Sequence, residues 1–406
     1  MHTINKANSS LTIFCFISKY LLLIDTINGF CLEYNINLPI GQIYKLILLA
    51  FLASQLIKSV KGQWIVAITL IYLLLYINHL NINIHSNIVG ESITHFSKFI
   101  IVPWIYFYLI EEKKKYDQHL FFQKIVNILQ FNILIFCLNI YSGLLGIGTH
   151  SYENNIGHKG FFYAVNETSG VGAVLFSFYI FYNNIRYNAH RQKIYISYII
   201  LILASLLLGT KTLVIFTLIG VYYIPTTIKS SKRLTVQKKI YKYCILIISC
   251  FCLILWGYYI LDKIGFVDRW LYFYDKGGIE QIIFSSRNLF WQEEKHDFLS
   301  SNFIVQLFGL GGNRTVEMDQ FDILLNYGYI GLLIIYSFYI KLIIQVYKYK
   351  NKFIISKVIL FINALLLCAS CLSGHIIFSG MLGPFIGIIN SLSDIKNYCI
   401  IKYYSK

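Results

Sequence analysis

Charged residues and prolines are both scarce in this sequence. Only 13% of the 406 residues are charged and only four are proline, whereas 57% are hydrophobic and the mean hydropathy is +0.60. Because soluble domains carry about 25% charged residues, this composition excludes a water-soluble globular protein. The hydrophobic residues recur in runs of about 20, the length that a helix needs to cross a membrane core of about 30 Å. The sequence therefore predicts an all-α polytopic membrane protein.

Signatures of several enzyme and pump classes are also absent. The sequence contains no GxxxxGK[ST] loop, no HExxH and no GxSxG. It therefore lacks the usual motif of an ATP-driven pump, a zinc peptidase or a serine hydrolase. Most of its nine cysteines, such as Cys244 and Cys368, lie inside hydrophobic runs. We interpret them as small packing residues of membrane helices.

The basic residues indicate the membrane topology. The formal net charge of +16 comes from 35 Lys and Arg against 19 Asp and Glu. These cations form short clusters between hydrophobic runs rather than one polar face, so nucleic acid is not an expected partner. The clusters fall alternately between the predicted spans, which places both termini in the cytoplasm. We predict about twelve transmembrane helices, near residues 10–27, 40–57, 64–80, 92–110, 123–143, 161–182, 194–208, 211–228, 243–262, 322–340, 358–372 and 375–391.

A single integral membrane domain, residues 1–406, is predicted, and one connector within it is unusual. The first run, Leu11–Ile27, is expected to remain as an uncleaved helix because no small-residue cleavage site follows it. The connector over residues 263–321 falls on the extracytoplasmic side. Ten of the nineteen acidic residues lie between Asp262 and Asp322. This large loop is therefore predicted to carry the active site.

Two residues in the first half of this loop could recognise a glycan on a diphosphate. Arg287 and Trp291 are four residues apart and share one face if the segment is helical. A planar guanidinium suits a diphosphate, and a tryptophan suits a sugar face. The alternative is an arginine that extends its charge to the membrane surface beside a tryptophan anchor.

Carboxylates gather in the second half of the loop. A glycine turn over residues 309–312 precedes Glu317, Asp319 and Asp322, which meet the start of a predicted membrane helix. Acidic residues in a first turn also stabilise a helix, so capping alone explains one of them equally well. Glycosyl transfer requires a base for the acceptor hydroxyl and a cation for the leaving phosphate. Arginine and several carboxylates at one helix mouth match that requirement.

A second candidate site lies where Asn166 and Glu167 enter a hydrophobic run. A carboxylate at membrane depth is costly and indicates function by default. Lys211, predicted at the same outer face, is the expected partner of Glu167. The alternative is a buried structural Glu–Lys pair that joins two helices. We interpret His375 and Lys98, two isolated polar residues in or near spans, as packing residues.

At these positions the sequence resembles the O-antigen and capsular polysaccharide polymerases, the Wzy-type members of the O-antigen ligase and polymerase superfamily. Residues 1–155 match this family only as hydrophobic spans. The matching segments are 160–170 (GFFYAVNETSG), 208–212 (LGTKT), 286–291 (SRNLFW), 309–311 (GLG), 317–322 (EMDQFD) and 327–332 (YGYIGL).

The resemblance implies a GT-C-like helical bundle that joins undecaprenyl-diphosphate-linked oligosaccharide repeat units into O-antigen, capsule or exopolysaccharide. The reaction is expected at the outer face of the bacterial cytoplasmic membrane. Arg287 would hold the diphosphate with help from Arg314, and Glu317 or Asp319 would act as the base or position the acceptor, supported by Asp322. No cofactor or metal is required, although the acidic cluster could bind a divalent ion. A chain-length regulator and a flippase are implied partners.

Three other functions stay open at this point. Ligase relatives resemble one another in carrying a histidine after the glycine turn, where this sequence has Glu317 and Asp319, which favours the polymerase. A flippase or other transporter also fits twelve spans, but carriers place polar groups near the midplane, often between repeated halves. Here the polar residues concentrate at one face. A structural or sensory protein would leave the arginine and the three acids unexplained.

Overall fold

The computed structural model describes residues 2–36, 38–83, 89–152, 157–187, 190–228, 266–312 and 314–397. Within these ranges the chain is almost entirely α-helical, and its one small sheet is an antiparallel hairpin. The helices are α1 His2–Lys19, α2 Leu21–Glu33, α3 Ile40–Leu56, α4 Val60–Asn83, α5 Val89–Lys113, α6 Gln118–Tyr141, α7 Val165–Arg186, α8 Arg191–Leu208, α9 Lys211–Ile228, α10 Phe266–Phe284, α11 Arg287–Ser300, α12 Phe303–Phe308, α13 Asp319–Tyr349, α14 Ile354–Leu372 and α15 Gly383–Asn390; the strands are β1 Thr149–His150 and β2 His158–Gly160.

Among the described residues, seven helical segments are long and apolar enough to cross a membrane, which fits the predicted all-α polytopic class. Helix α3 is apolar but shorter, and the predicted span 243–262 lies outside the described residues. The predicted loop 263–321 contains α10, α11 and α12. The seven segments are Ser10–Glu33, Val60–Ile82, Gln118–Leu145, Arg191–Leu208, Lys211–Ile228, Asp319–Tyr349 and Ile354–Leu372.

Helix α7 lies at the centre of the bundle. Its residues from Thr168 to Ser177 are buried on all sides, and it packs most extensively against α9. Small residues allow this close approach: a Cβ added to Gly172 would lie 2.8 Å from a Leu213 methyl. Between membrane helices, small residues replace the hydrophobic effect as the source of tight packing. The N-terminal end of α7 is thereby fixed among several helices.

The last predicted span, 375–391, is wrong as a continuous helix. Residues 373–382 are irregular, and only Gly383–Asn390 is helical, about 12 Å long. Leu372 contacts Arg287 at one end of α14, whereas Ile354 at its other end donates to Asn397. Because the 19 residues of α14 extend about 28 Å, the segment 373–397 passes from one end of the bundle to the other. Hydropathy predicted that this segment crosses the bundle, but it did not predict that residues 373–382 are non-helical.

A second interruption divides α13. Gly328 has φ 64° and ψ −167°, so residues 319–327 and 329–349 form two helices rather than one. Such a break frees carbonyl groups that lipid cannot hydrogen-bond. Tyr76 Oη donates to Asn326 O at 2.9 Å, Tyr72 Oη to Tyr327 O at 3.3 Å, and Leu310 N to Leu325 O at 2.7 Å. Two tyrosines of α4 therefore stabilise the break, and the 21 residues beyond it still reach about 31 Å.

We predict that Gly328→Ala destabilises the protein. Essentially only glycine adopts the backbone conformation of residue 328, which costs other residues about 1–3 kcal/mol, and the added Cβ would collide with the Leu307 carbonyl. Gly220→Ala is the control, since its Cβ would meet only ordinary contacts, the nearest at 3.5 Å, inside α9. Thermal unfolding in detergent should show a lower midpoint for Gly328→Ala alone. Equal midpoints for the two variants would contradict the break at Gly328.

Candidate functional site

Arg287 connects three parts of the chain at one end of the bundle. Ser285 and Ser286 have φ of 52° and 66°, and this left-handed turn starts α11 at Arg287. The Arg287 side chain is only 15% exposed. Its Nε and Nη2 each donate to Glu317 Oε2 at 3.2 Å, and its Nη1 donates to Leu372 O at 3.0 Å. The guanidinium is therefore held in one position by a carboxylate and a carbonyl.

Glu317 is the more accessible partner of this ion pair. Its side chain is 50% exposed, and both bonds from Arg287 reach Oε2, so Oε1 has no hydrogen-bond partner among the described residues. Its φ of 59° is unusual for a residue with a side chain. Five non-glycine residues of the described chain have a positive φ. Four of them are Glu317 itself and three residues near the ion pair, Ser285, Ser286 and His375. Clustered strain of this kind is typical of functional sites.

Asp319 lies away from solvent and anchors the unwound segment 373–382. Its side chain is 0% exposed, and its carboxylate accepts the backbone N–H of Ile376 at 3.0 Å and of Ile377 at 2.7 Å. Tyr339 Oη donates to Ile377 O at 2.8 Å in the same region. The capping alternative also fails for Asp319, because its bonds go to a distant segment instead of its own helix. The geometry gives Asp319 a positioning role.

Asp322 fixes the backbone around Glu317. It is buried, and its Oδ1 accepts Val316 N at 2.6 Å. A Cβ added to Gly374 would lie 2.8 Å from its Oδ2 and 2.7 Å from Glu317 Cα. The segment 373–382 therefore passes so close to Glu317 that only glycine fits. The structure therefore places Asp322 directly beside the backbone that carries Glu317.

Arg314 is a cross-link within the loop. Its Nη1 donates to Glu294 Oε2 at 2.5 Å and to Asp297 Oδ2 at 3.4 Å, and Asn326 holds its backbone. Burial lowers the pKa of Arg314, but the hydrogen bonds and charges of Glu294 and Asp297 outweigh burial, and the net shift is upward. Arg314 is thus a stable cation whose charge is already balanced by two carboxylates.

Trp291 packs inside the loop. Its ring stacks on Phe321 with centroids 4.1 Å apart and planes at 15°. A small apolar cluster of Phe298, Val316 and Leu325 lies beneath this pair. The ring face against Phe321 is therefore covered, and Trp291 has a packing role within the loop.

Glu167 has a different partner from the one expected. Its Oε2 accepts Ser379 Oγ at 2.7 Å and Met381 N at 2.9 Å, and Lys98 Nζ lies 3.9 Å from its Oε1. Lys211 instead donates to Ile282 O at 3.0 Å, because the start of α9 faces α10. The predicted Glu167–Lys211 pair is therefore wrong. Asn166, next to Glu167 in the first turn of α7, is half-buried.

Charged residues from α2, α3 and α5 extend the site, and the sequence interpretation missed their role. Lys45 Nζ lies 2.8 Å from Asp25 Oδ1, and a Cβ added to Gly380 would lie 3.8 Å from Lys45 Nζ and 3.6 Å from Lys98 Cγ. Both lysines therefore flank the unwound segment. Their signal was the presence of charge inside hydrophobic runs.

His375 joins the two halves of this arrangement. It is half-buried and lies close enough to Glu167, Lys98, Glu317 and Arg287 for their charges to act on it. The polar site, as we use the term below, consists of Asp25, Lys45, Lys98, Glu167, Arg287, Glu317 and His375. In the part of the chain that the structure describes, no three His, Cys, Asp or Glu side chains come together as a metal site.

Comparison with known proteins gives no family for this chain. No protein-family model matches it, and no curated protein is significantly similar to it. A fold class alone does not imply a function, so the function is argued from the chemistry of the polar site.

We predict that Asp319→Asn loses stability even though it preserves shape. An amide nitrogen would face the backbone N–H groups of Ile376 or Ile377, and a buried donor left without its acceptor costs about 1–3 kcal/mol. Asp297→Asn is the matched control, since that side chain is 62% exposed and should change stability by under about 0.5 kcal/mol. Thermal unfolding in detergent measures both. A fully stable Asp319→Asn protein without activity would instead indicate a direct catalytic role.

Proposed function

We propose that this protein is a Wzy-type polymerase, a glycosyltransferase that joins undecaprenyl-diphosphate-linked oligosaccharide repeat units into surface polysaccharide. The product would be an O-antigen, a capsule or an exopolysaccharide. The observation that carries the proposal is the Arg287–Glu317 pair. It combines a fixed cation with a carboxylate that has one exposed, unengaged oxygen.

The pair supplies both groups that glycosyl transfer from a diphosphate requires. The substrate diphosphate binds Arg287 and displaces Glu317, because a planar guanidinium forms paired hydrogen bonds with phosphate oxygens. The displaced carboxylate stays within reach, since Asp322 holds the adjacent backbone through Val316 N. Binding of the donor therefore frees the base at the moment when it is needed.

The chemical step then involves no further reagent. A hydroxyl of the acceptor unit attacks the anomeric carbon of the donor glycan while the bond from that carbon to the diphosphate oxygen breaks. The diphosphate leaves with the bonding electron pair, and Arg287 stabilises its charge. Glu317 accepts the proton of the acceptor hydroxyl. The diphosphate linkage supplies the energy, which agrees with the absence of a nucleotide-binding motif.

The other residues of the polar site have supporting roles in this scheme. Lys98 and Lys45 flank the unwound segment, and each is paired with a carboxylate, Glu167 and Asp25 respectively, which an anionic group of a lipid-linked substrate would displace. Glu167 and Asp319 hold that segment through its backbone amides. Neither carboxylate needs to act as a base, because Glu317 is more exposed than either.

The proposed location is the outer face of the bacterial cytoplasmic membrane. The alternation of basic connectors supports about twelve crossings with both termini in the cytoplasm. The final crossing in this topology is the partly unwound segment 373–397. A flippase that delivers the repeat units and a chain-length regulator are the partners that this function would require.

We predict that Arg287→Ala and Glu317→Gln each abolish polymerisation. A strain lacking the gene would be complemented with wild type or with each variant, and its surface glycan separated on a gel. Loss of a general base costs about 100-fold or more in rate, so the polymer ladder should disappear while single repeat units accumulate. Arg191→Ala and Glu293→Gln are the matched controls, since both side chains are exposed and lie outside the polar site.

Membrane levels of each variant must equal those of wild type for this comparison. A normal ladder in both variants would refute the site assignment. Loss of even single units from the outer surface would point to the flippase function. Transfer of single units to a preformed acceptor, without a ladder in the wild type, would indicate a ligase.

A further inference from the structure

A groove lies at the end of the bundle opposite the polar site. One wall consists of Tyr223, Thr226 and Thr227 of α9. The rest of the lining comes from Lys350 and Asn351, in the turn after α13, and from Lys357 and Leu360 near the start of α14. Its volume is about 490 Å³, within the range of about 300–1,000 Å³ that small-ligand sites occupy. The groove and the polar site lie at opposite ends of α14: Asn397 contacts Lys352 at the groove end, and Arg287 contacts Leu372 at the other end.

The groove is positively charged. Its lining includes two lysines and no acidic residue. Among the described residues, no carboxylate forms an ion pair with Lys350 or Lys357, whereas Lys113 near this end is paired with Asp394. The hydroxyls of Thr226 and Thr227 donate to Tyr223 O. Lys350 Nζ lies 3.3 Å from the centroid of the Tyr347 ring and keeps its charge there, while the Lys357 ammonium and the Asn351 amide are donors for a ligand. Together these groups suit a phosphate.

Two exposed apolar stripes run from the groove along the membrane-spanning helices. On α9, Ile215, Ile219 and Tyr223 are four residues apart and exposed, and Thr227 continues their stripe into the groove. On α13, an equivalent stripe leads to Asn351. Its exposed members are Ile340, Ile344 and Tyr347. A ligand with a phosphate head and long apolar chains would cover both the groove and the stripes.

We infer that this groove binds the phosphate headgroup of an anionic membrane lipid, whose acyl chains lie along the two stripes. Basic pockets between membrane helices bind such headgroups, and each lysine near an anionic lipid surface contributes about 1 kcal/mol. Free phosphate would pair with the lysines but would leave the apolar side chains of the two stripes uncovered. This site is separate from the proposed polymerase chemistry and does not depend on it.

The test is native mass spectrometry of the purified full-length protein with phosphatidylglycerol, phosphatidylcholine or inorganic phosphate. The wild type should retain phosphatidylglycerol. Lys350→Gln combined with Lys357→Gln should bind it about 10- to 30-fold more weakly. Lys348→Gln combined with Lys352→Gln is the matched control, since it removes the same charge from the same connection outside the groove. It should bind nearly as the wild type does.

Three outcomes would overturn the inference. Equal loss of phosphatidylglycerol in both double variants would indicate diffuse charge rather than a site. Equal retention of phosphatidylcholine would remove the role of headgroup charge. Inorganic phosphate that displaces the lipid at millimolar concentration would assign the groove to a soluble phosphate compound. Both double variants must elute as folded protein in size exclusion before they are compared.

Discussion

The polar site depends on carboxylates that hydrogen-bond to the backbone of an unwound segment inside the bundle. Residues 373–382 cannot pair their amides within a helix, and lipid offers no partners. Asp319 accepts from Ile376 and Ile377, and Glu167 accepts from Met381 and from Ser379 Oγ. Glu167 lies 3.9 Å from Lys98 Nζ, and bonds to such an ionised carboxylate are roughly twice as strong as neutral ones. They hold the segment open, so that His375 and Gly380 approach Glu317 and the lysines.

The break at Gly328 follows the same physical principle with neutral partners. Here carbonyl groups are released instead of amides, and the hydroxyls of Tyr72 and Tyr76 satisfy them. His79, which lies on α4 with the two tyrosines, contacts Gly309 O through its Nε2 at 2.8 Å. The loop that carries Arg314 and Glu317 is thereby fixed to α4. Irregular backbone near the site is thus buried in protein, where side chains supply hydrogen-bond partners that lipid lacks.

Sequence reasoning succeeded where structure is determined by local composition. The predicted spans 40–57 and 211–228 coincide with Ile40–Leu56 and Lys211–Ile228, since hydrophobicity alone defines such helices. It failed at 375–391, because a buried unwound segment is as apolar as a helix. The partner of Glu167 was also missed, since Lys98 is 69 residues away in the chain and the folding of α5 brings it there. Contacts of this range leave no local pattern.

The acids at the helix mouth separate into two kinds once their partners are known. Asp319 and Asp322 are buried. Backbone amides occupy both oxygens of Asp319, whereas Asp322 Oδ1 accepts Val316 N and its Oδ2 is enclosed beside Gly374, so an acceptor hydroxyl cannot reach either residue. Glu317 is half exposed and has a free oxygen among its described contacts. Three carboxylates in six residues therefore provide one reactive group and two supports. A count of acidic residues overstates catalytic capacity wherever unwound backbone must be stabilised, because the same residue type performs both tasks.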